Sequence, residues 1–209
     1  MTRIIDISPL VSPRIAVWPG DVPFSRTVAL EIAKGANIDL SALTSTVHVG
    51  AHADAPSHYA AGGEDIAARP LELYYGPCEV MRVDVARGAR VLPRDLPGPV
   101  RAPRLLIRTG TFPDPERWNT DFAALSPELI EHLAAQGGRL VGIDTPSVDP
   151  FESKALETHQ ALRRADMANL EGLALDHVEP GLYTLCALPL RLEGADASPV
   201  RAVLIDDRR

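Results

Sequence analysis

The sequence predicts an α/β protein, rich in strands and organised as a single domain over residues 1–209. Three observations carry this. Short β-branched and apolar runs recur along the whole chain, and only two segments join a helical apolar stripe to capping residues. No linker, internal repeat or low-complexity stretch interrupts the pattern, and 209 residues suffice to bury a sizeable core.

Taken in order, "RIIDIS" (3–8) reads as a first strand, and "VSPRIAVWPGDVP" (11–23) as a Pro/Gly-rich loop. "FSRTVALEI" (24–32) sets Phe24, Val28, Leu30 and Ile32 against more polar neighbours, a strand pattern. "LSALTSTVHV" (40–49) is β-branched and predicts another strand. "CEVMRVDV" (78–85), "RLLIRTG" (104–110), "RLVGID" (139–144), "LEGLAL" (170–175), "YTLCALPLRL" (183–192) and "PVRAVLI" (199–205) are further strand candidates. The first helix is "SPELIEHLAAQGG" (126–138), with Ser126 as N-cap, Pro127 at the first helical position and Gly137 as the stop. "SKALETHQALRRAD" (153–166) is the second, with Ser153 as its expected cap.

Charge excludes some partners. With 21 basic and 28 acidic residues, the net charge is −7 and no basic cluster stands out. That argues against nucleic acid or an anionic membrane as the main partner. No apolar stretch reaches membrane-spanning length and the N-terminus lacks a signal-peptide core, so a cytoplasmic location is expected. Cys78 and Cys186 form no CxxC pair and read as free thiols in a reducing compartment.

The chemistry concentrates in "VHVGAHADAPSH" (47–58), which holds His48, His52, Asp54 and His58 in a chain with only six histidines. On a helix, His48 and His52 would share a face, but Gly50, Pro56 and the β-branched Thr44, Thr46, Val47 and Val49 oppose a helix. On extended chain all four side chains have the same parity. A straight strand still fails, because six residues at about 3.3 Å each put His48 and Asp54 roughly 20 Å apart. Ligands of one metal place their donor atoms about 2.0–2.2 Å from it. The chain must therefore fold back, and Gly50 and "DAP" supply the bends.

Two later residues are chemically out of place. His159 lies on the apolar stripe between Leu156 and Leu162. Glu171 is the single charge in "MANLEGLAL", where an ionised carboxylate is costly unless it is paired or binds a metal. His132, on an expected surface helix, and His177, in a loop, are assigned to solvent. Imidazole and carboxylate donors without thiolates suit Zn²⁺, with Mn²⁺ possible.

The stretch "HVGAHADAPSHY" resembles the H-x-G-x-H-x-D-x-P-x-H signature of the cyclase-like metal-dependent hydrolases. "WPGDVPF" (18–24), "LVGIDTPSVDP" (140–150), "NLEGL" (169–173) and "DASPVRAVL" (196–204) are similar to one branch, the bacterial-type kynurenine formamidases. The resemblance implies a homodimer of swivelling β/β/α fold with two Zn²⁺ ions per subunit. It implies His48 and His52 on the first ion, His159 on the second, and Asp54 and Glu171 touching both. His58 would be the proton donor and acceptor, and Trp18 would line the substrate pocket. Val49 stands where that family often has threonine, which touches hydrogen bonding around the ligands and not the ligands themselves.

The implied reaction is hydrolysis of N-formyl-L-kynurenine to L-kynurenine and formate. Zinc suits it, since it brings the pKa of bound water to about 7 and polarises carbonyl oxygens. No serine lies in a G-x-S-x-G context, which disfavours a serine nucleophile. The nearest rival is another amidase or lactamase of the superfamily, such as one opening isatin. The rival from another class is a binding module with structural zinc, which would ordinarily close its site with four protein ligands, mostly cysteine.

Overall fold

The computed structural model describes residues 2–207. Its strands are β1 (Arg3–Asp6), β2 (Ser25–Leu30), β3 (Leu40–Thr44), β4 (His52–Asp54), β5 (Tyr75–Arg82), β6 (Arg90–Val91) and β7 (Arg104–Arg108). They continue with β8 (Ala124–Leu125), β9 (Leu140–Ile143), β10 (Ala168–Glu171), β11 (Gly181–Cys186), β12 (Ala197–Pro199) and β13 (Val203–Asp206). The α-helices are α1 (Pro56–Tyr59), α2 (Pro127–Ala135) and α3 (Glu157–Ala165).

Nine strands form one mixed sheet in the order β1-β13-β11-β5-β7-β9-β10-β4-β12. Its middle, β5-β7-β9-β10, is parallel, and the flanks are antiparallel. Parallel strands need both faces covered, and the central runs are accordingly apolar on both. Leu105, Ile107, Val141 and Ile143 face α2 and α3, where Leu129, Ile130, Leu133 and Leu162 meet them. Leu106, Leu140 and Leu170 face a second core with Ile5, Tyr74, Val80, Tyr183 and Leu204.

Helix α2 forms as its sequence predicts: Ser126 Oγ accepts the Leu129 N–H, and Pro127 opens the helix. Helix α3 departs from expectation. Ser153 is not its N-cap; Ser153 Oγ accepts the Leu156 N–H instead, and the helix starts at Glu157. The first-turn amides of Thr158 and His159 donate to the carboxylate of Asp149, at 3.0 and 3.1 Å. The buried acceptor from a preceding loop wins because it satisfies two orphan amides where Ser153 could satisfy one.

Several strand readings change as well: the run 183–192, for one, begins earlier, at Gly181, and stops at Cys186. The run 40–49 stops at Thr44, because residues 47–51 turn back through Gly50. The run 170–175 begins earlier, at Ala168, and stops at Glu171. The run 199–205 splits between β12 and β13. The hairpin β2–β3 forms, but every one of its residues is exposed, so its alternation marks no buried face in this chain.

Candidate metal and substrate site

The site lies around the neighbouring strands β4 and β10, where His159 of α3 meets Asp54 and Glu171. On β4, Ala53 turns into the core opposite Leu170 of β10, which leaves His52 and Asp54 on the other face. His52 pairs directly with Glu171 across the ladder, and Asn169, two residues earlier on β10, shares that face. His159 comes down from α3. His48 arrives from the turn before β4, and His58 from α1, which starts at Pro56 immediately after "DA".

Two positive-φ glycines hold the turn. Gly50 has φ +61, and its carbonyl accepts the His52 Nδ1–H at 2.9 Å. Gly172, at φ +65, ends β10 directly against it: a Cβ there would lie 2.3 Å from the Gly50 oxygen. The two backbones therefore meet at a separation that only glycine permits.

The buried carboxylates each divide their oxygens between two groups of imidazoles. Asp54 Oδ1 lies 3.1 Å from His48 Nδ1 and 3.5 Å from His52 Nε2, while Oδ2 lies 3.2 Å from His159 Nε2. Glu171 Oε2 lies 3.3 Å from His52 Nε2, and Oε1 lies 3.4 Å from His159 Nε2. His48, His52 and Asp54 thus form one donor group, and Asp54, His159 and Glu171 another. All six sequence candidates around the centre, His58 included, come together; Trp18 lines the same cavity.

Each imidazole is fixed from outside. His52 donates to Gly50 O, and His159 Nδ1 donates to Asp149 Oδ2 at 2.8 Å. His48 Nε2 and His58 Nδ1 both donate to Asp196 Oδ2, at 3.0 and 3.1 Å. The nitrogens of His48, His52 and His159 that face the carboxylates are therefore the ones that would offer lone pairs to a metal ion, in exchange for a proton. Asn169 Nδ2 donates to Asp54 Oδ2 at 2.6 Å, and Val148 N–H to Glu171 Oε1 at 2.8 Å.

This donor set fits a metal. His52 Nε2 and Asp54 Oδ1 are buried without any hydrogen-bond partner, an arrangement that costs stability unless a cation sits between them. Burial opposes ionisation of Asp54, but attraction to His159, His48 and His52 holds it well below the usual carboxylate range. Burial and Asp54 oppose ionisation of Glu171, and His159 and His52 outweigh them, lowering it too. Burial likewise opposes charge on His48, which Asp54 and Asp196 nevertheless raise to about 9, and on His159, which Asp149, Asp54 and Glu171 raise. The field at the centre favours positive charge, carried by protons or by a metal ion.

The cluster forms the floor of a cavity of about 600 Å³. Trp18 meets Trp118 edge-on at 5.2 Å and Phe151 at 5.0 Å, and Phe112 packs on Trp118 at 5.8 Å. Beyond the histidine cluster, the charged lining residues Asp21, Asp144, Asp176 and Asp196 are all acidic. His132 and His177 are exposed, as expected. Sequence reasoning did not single out Asp149, Asn169, Asp196 or Trp118. The three polar ones sit inside the stretches that resemble the formamidases, and Trp118 is the second of only two tryptophans.

The family model described as "Putative cyclase" matches residues 5–150. A kynurenine formamidase from Maricaulis maris (strain MCS10) is 46% identical over 206 residues, covering 98% of this chain and 98% of that protein. Among solved structures, "The Structure Of Potential Metal-Dependent Hydrolase With Cyclase Activity" superposes with a TM-score of 0.85 at 25% identity, covering all of both chains. Isatin hydrolase A from Labrenzia aggregata, bound to benzyl benzoate, has a TM-score of 0.80 at 21% identity, covering 99% of this chain and 94% of the other, and shares the fold.

Proposed function

Since the chain belongs to the cyclase family, we propose that it is a metal-dependent formamidase that hydrolyses N-formyl-L-kynurenine to L-kynurenine and formate. One observation carries the metal part of this reading: Asp54 and Glu171 each offer one oxygen to each of two imidazole groups. His48 and His52 would hold one ion and His159 a second, with both carboxylates shared between them. Zinc is the first choice, and manganese the alternative. When bound, such ions supply a nucleophile from water near neutral pH and polarise the formyl oxygen.

The chain's own residues do the rest. Trp18, with Trp118 and Phe112 beside it, offers the substrate's aryl ring a flat aromatic wall. Asp21, an exposed carboxylate lining that cavity, suits the substrate's ammonium group, which isatin lacks. His58 Nδ1–H is engaged by Asp196, so Nε2 is the nitrogen that carries the proton. As the C–N bond breaks, that proton passes to the anilide nitrogen, oxygen from water remains on the formyl carbon, and the products are an aryl amine and formate.

The whole chain acts as one cytoplasmic domain and pairs as a homodimer. Support for pairing comes from the β2–β3 hairpin, whose Val28, Leu30, Leu40 and Leu43 are all exposed. A lone two-stranded hairpin is marginal in water without something packed against it. Metal analysis of purified protein alongside hydrolysis assays of formylkynurenine and isatin tests the function. Two metals per chain with preference for formylkynurenine is the expected result; preference for isatin, or full activity in metal-free protein, overturns it.

A further inference from the structure

Asp196 stands immediately before β12, beside β4, where Asp54 pairs with Ala197. Its backbone carbonyl accepts the Ala55 N–H at 2.8 Å, which ties the residue to the histidine segment independently of its side chain. Its ion pairs are to His48 and His58, both made by the one oxygen Oδ2. The two rings lie 4.3 Å apart at 46°, so this oxygen sits at the meeting point of both outward N–H groups.

We propose that Asp196 is a positioning residue that sets two histidines with one oxygen: it fixes His48 as a metal-holding ring and His58 as the proton-transferring ring. By taking the His48 Nε2–H it leaves the lone pair on Nδ1, 3.1 Å from Asp54 Oδ1, where the first ion would bind. By taking the His58 Nδ1–H it leaves Nε2 to exchange protons. A carboxylate behind a metal-binding imidazole orients the ring and fixes its tautomer, and losing it typically costs 10–100-fold in metal affinity or activity. Here the same atom also aims the acid, so the positions of ion and proton donor are set together. The His58 half rests on the formamidase reading; the His48 half rests only on metal binding.

The test compares Asp196→Ala and Asp196→Asn with the parent protein, each shown to be folded by its melting transition. Zn²⁺ affinity is measured without substrate, by competition with a chromophoric chelator. Asp196→Ala should bind Zn²⁺ about 10–100-fold more weakly. Asp196→Asn should retain part of the affinity, because its amide oxygen still accepts one N–H. At saturating Zn²⁺, Asp196→Ala should lose kcat with little change in KM, and lose more on formylkynurenine than on 4-nitroformanilide, whose amine leaves readily. In a His58→Asn background, removing Asp196 should still weaken metal binding but add little to the rate loss. Unchanged Zn²⁺ affinity together with an equal loss on both substrates overturns the proposal. Should the parent protein fail to hydrolyse formylkynurenine while Asp196→Ala still binds Zn²⁺ more weakly, the substrate reading falls and the His48 half stands.

Discussion

His58 differs from the other histidines of its segment in its surroundings: His52 is buried and His48 mostly so, whereas His58 is exposed at the cavity. It contacts neither Asp54 nor Glu171 within ion-pairing distance, and its ion pair is to Asp196. A residue so placed can move a proton without being needed to retain metal. His58→Asn should keep its full metal content and lose about 10²–10⁴-fold in rate on formylkynurenine, the usual worth of general acid catalysis. The loss should shrink as electron-withdrawing substituents on a formanilide make the amine a better leaving group. A defect equal across leaving groups, or loss of metal, would assign His58 to another role. Trp18 belongs to the aromatic wall and not to the donor cluster. Trp18→Ala should therefore raise KM more than it lowers kcat, because stacking is equal in ground and transition states; unchanged kinetics would place the substrate elsewhere.

At the scale of elements, the close approach of the 47–51 turn to the end of β10 makes a sharp prediction. Gly172→Ala imposes a left-handed conformation on alanine, costing about 1–2 kcal/mol, and drives its Cβ into the Gly50 carbonyl that orients His52. Both the urea midpoint and Zn²⁺ affinity should fall; a variant with normal stability and affinity would show that the turn is free to shift. These same elements separate what the sequence reveals from what it hides. Helix α2 is legible because its cap, first-turn proline and apolar stripe are all local. The start of α3 is not, because its amides are taken by Asp149, seven residues before the assigned N-cap, and that acceptor is placed by tertiary folding. The histidine segment is legible as a metal site because it gathers three of the chain's six histidines and an aspartate within a few residues, and Glu171 because a lone charge in an apolar run needs a reason. Asp196 carries no such signal: an aspartate after a glycine–alanine turn looks like any solvated loop residue until β12 is laid against β4. The exposed hairpin misleads in the other direction, since its alternating pattern forms strands whose residues are all exposed in the folded chain.

For the whole molecule, metal binding and folding are linked. The donors come from a turn, two strands and a helix, so the complete set exists only in the folded chain. A ligand that binds only the folded form stabilises it, by about 2.7 kcal/mol when present at a hundred times its dissociation constant. For a chain of this size that corresponds to roughly 5–10 °C in melting temperature. Chelation should lower Tm by that amount and abolish activity, and Zn²⁺ or Mn²⁺ should restore both; an unchanged Tm would mean that the centre is held by protein contacts alone. The sheet order has another consequence, for the chain as it is made. Strand β4 carries His52 and Asp54, yet both of its neighbours, β10 and β12, are encoded far downstream, and β1 waits for β13, near the other terminus. As the polypeptide leaves the ribosome, the most metal-avid segment emerges early with no strand to pair with. Zinc arriving then would meet only His48, His52, Asp54 and His58, in a chain free to offer them in the wrong geometry. The complete donor set therefore waits until β10 and β12 have been made and paired with β4, and refolding with metal present from the start should be slower or lower in yield than refolding followed by metal addition.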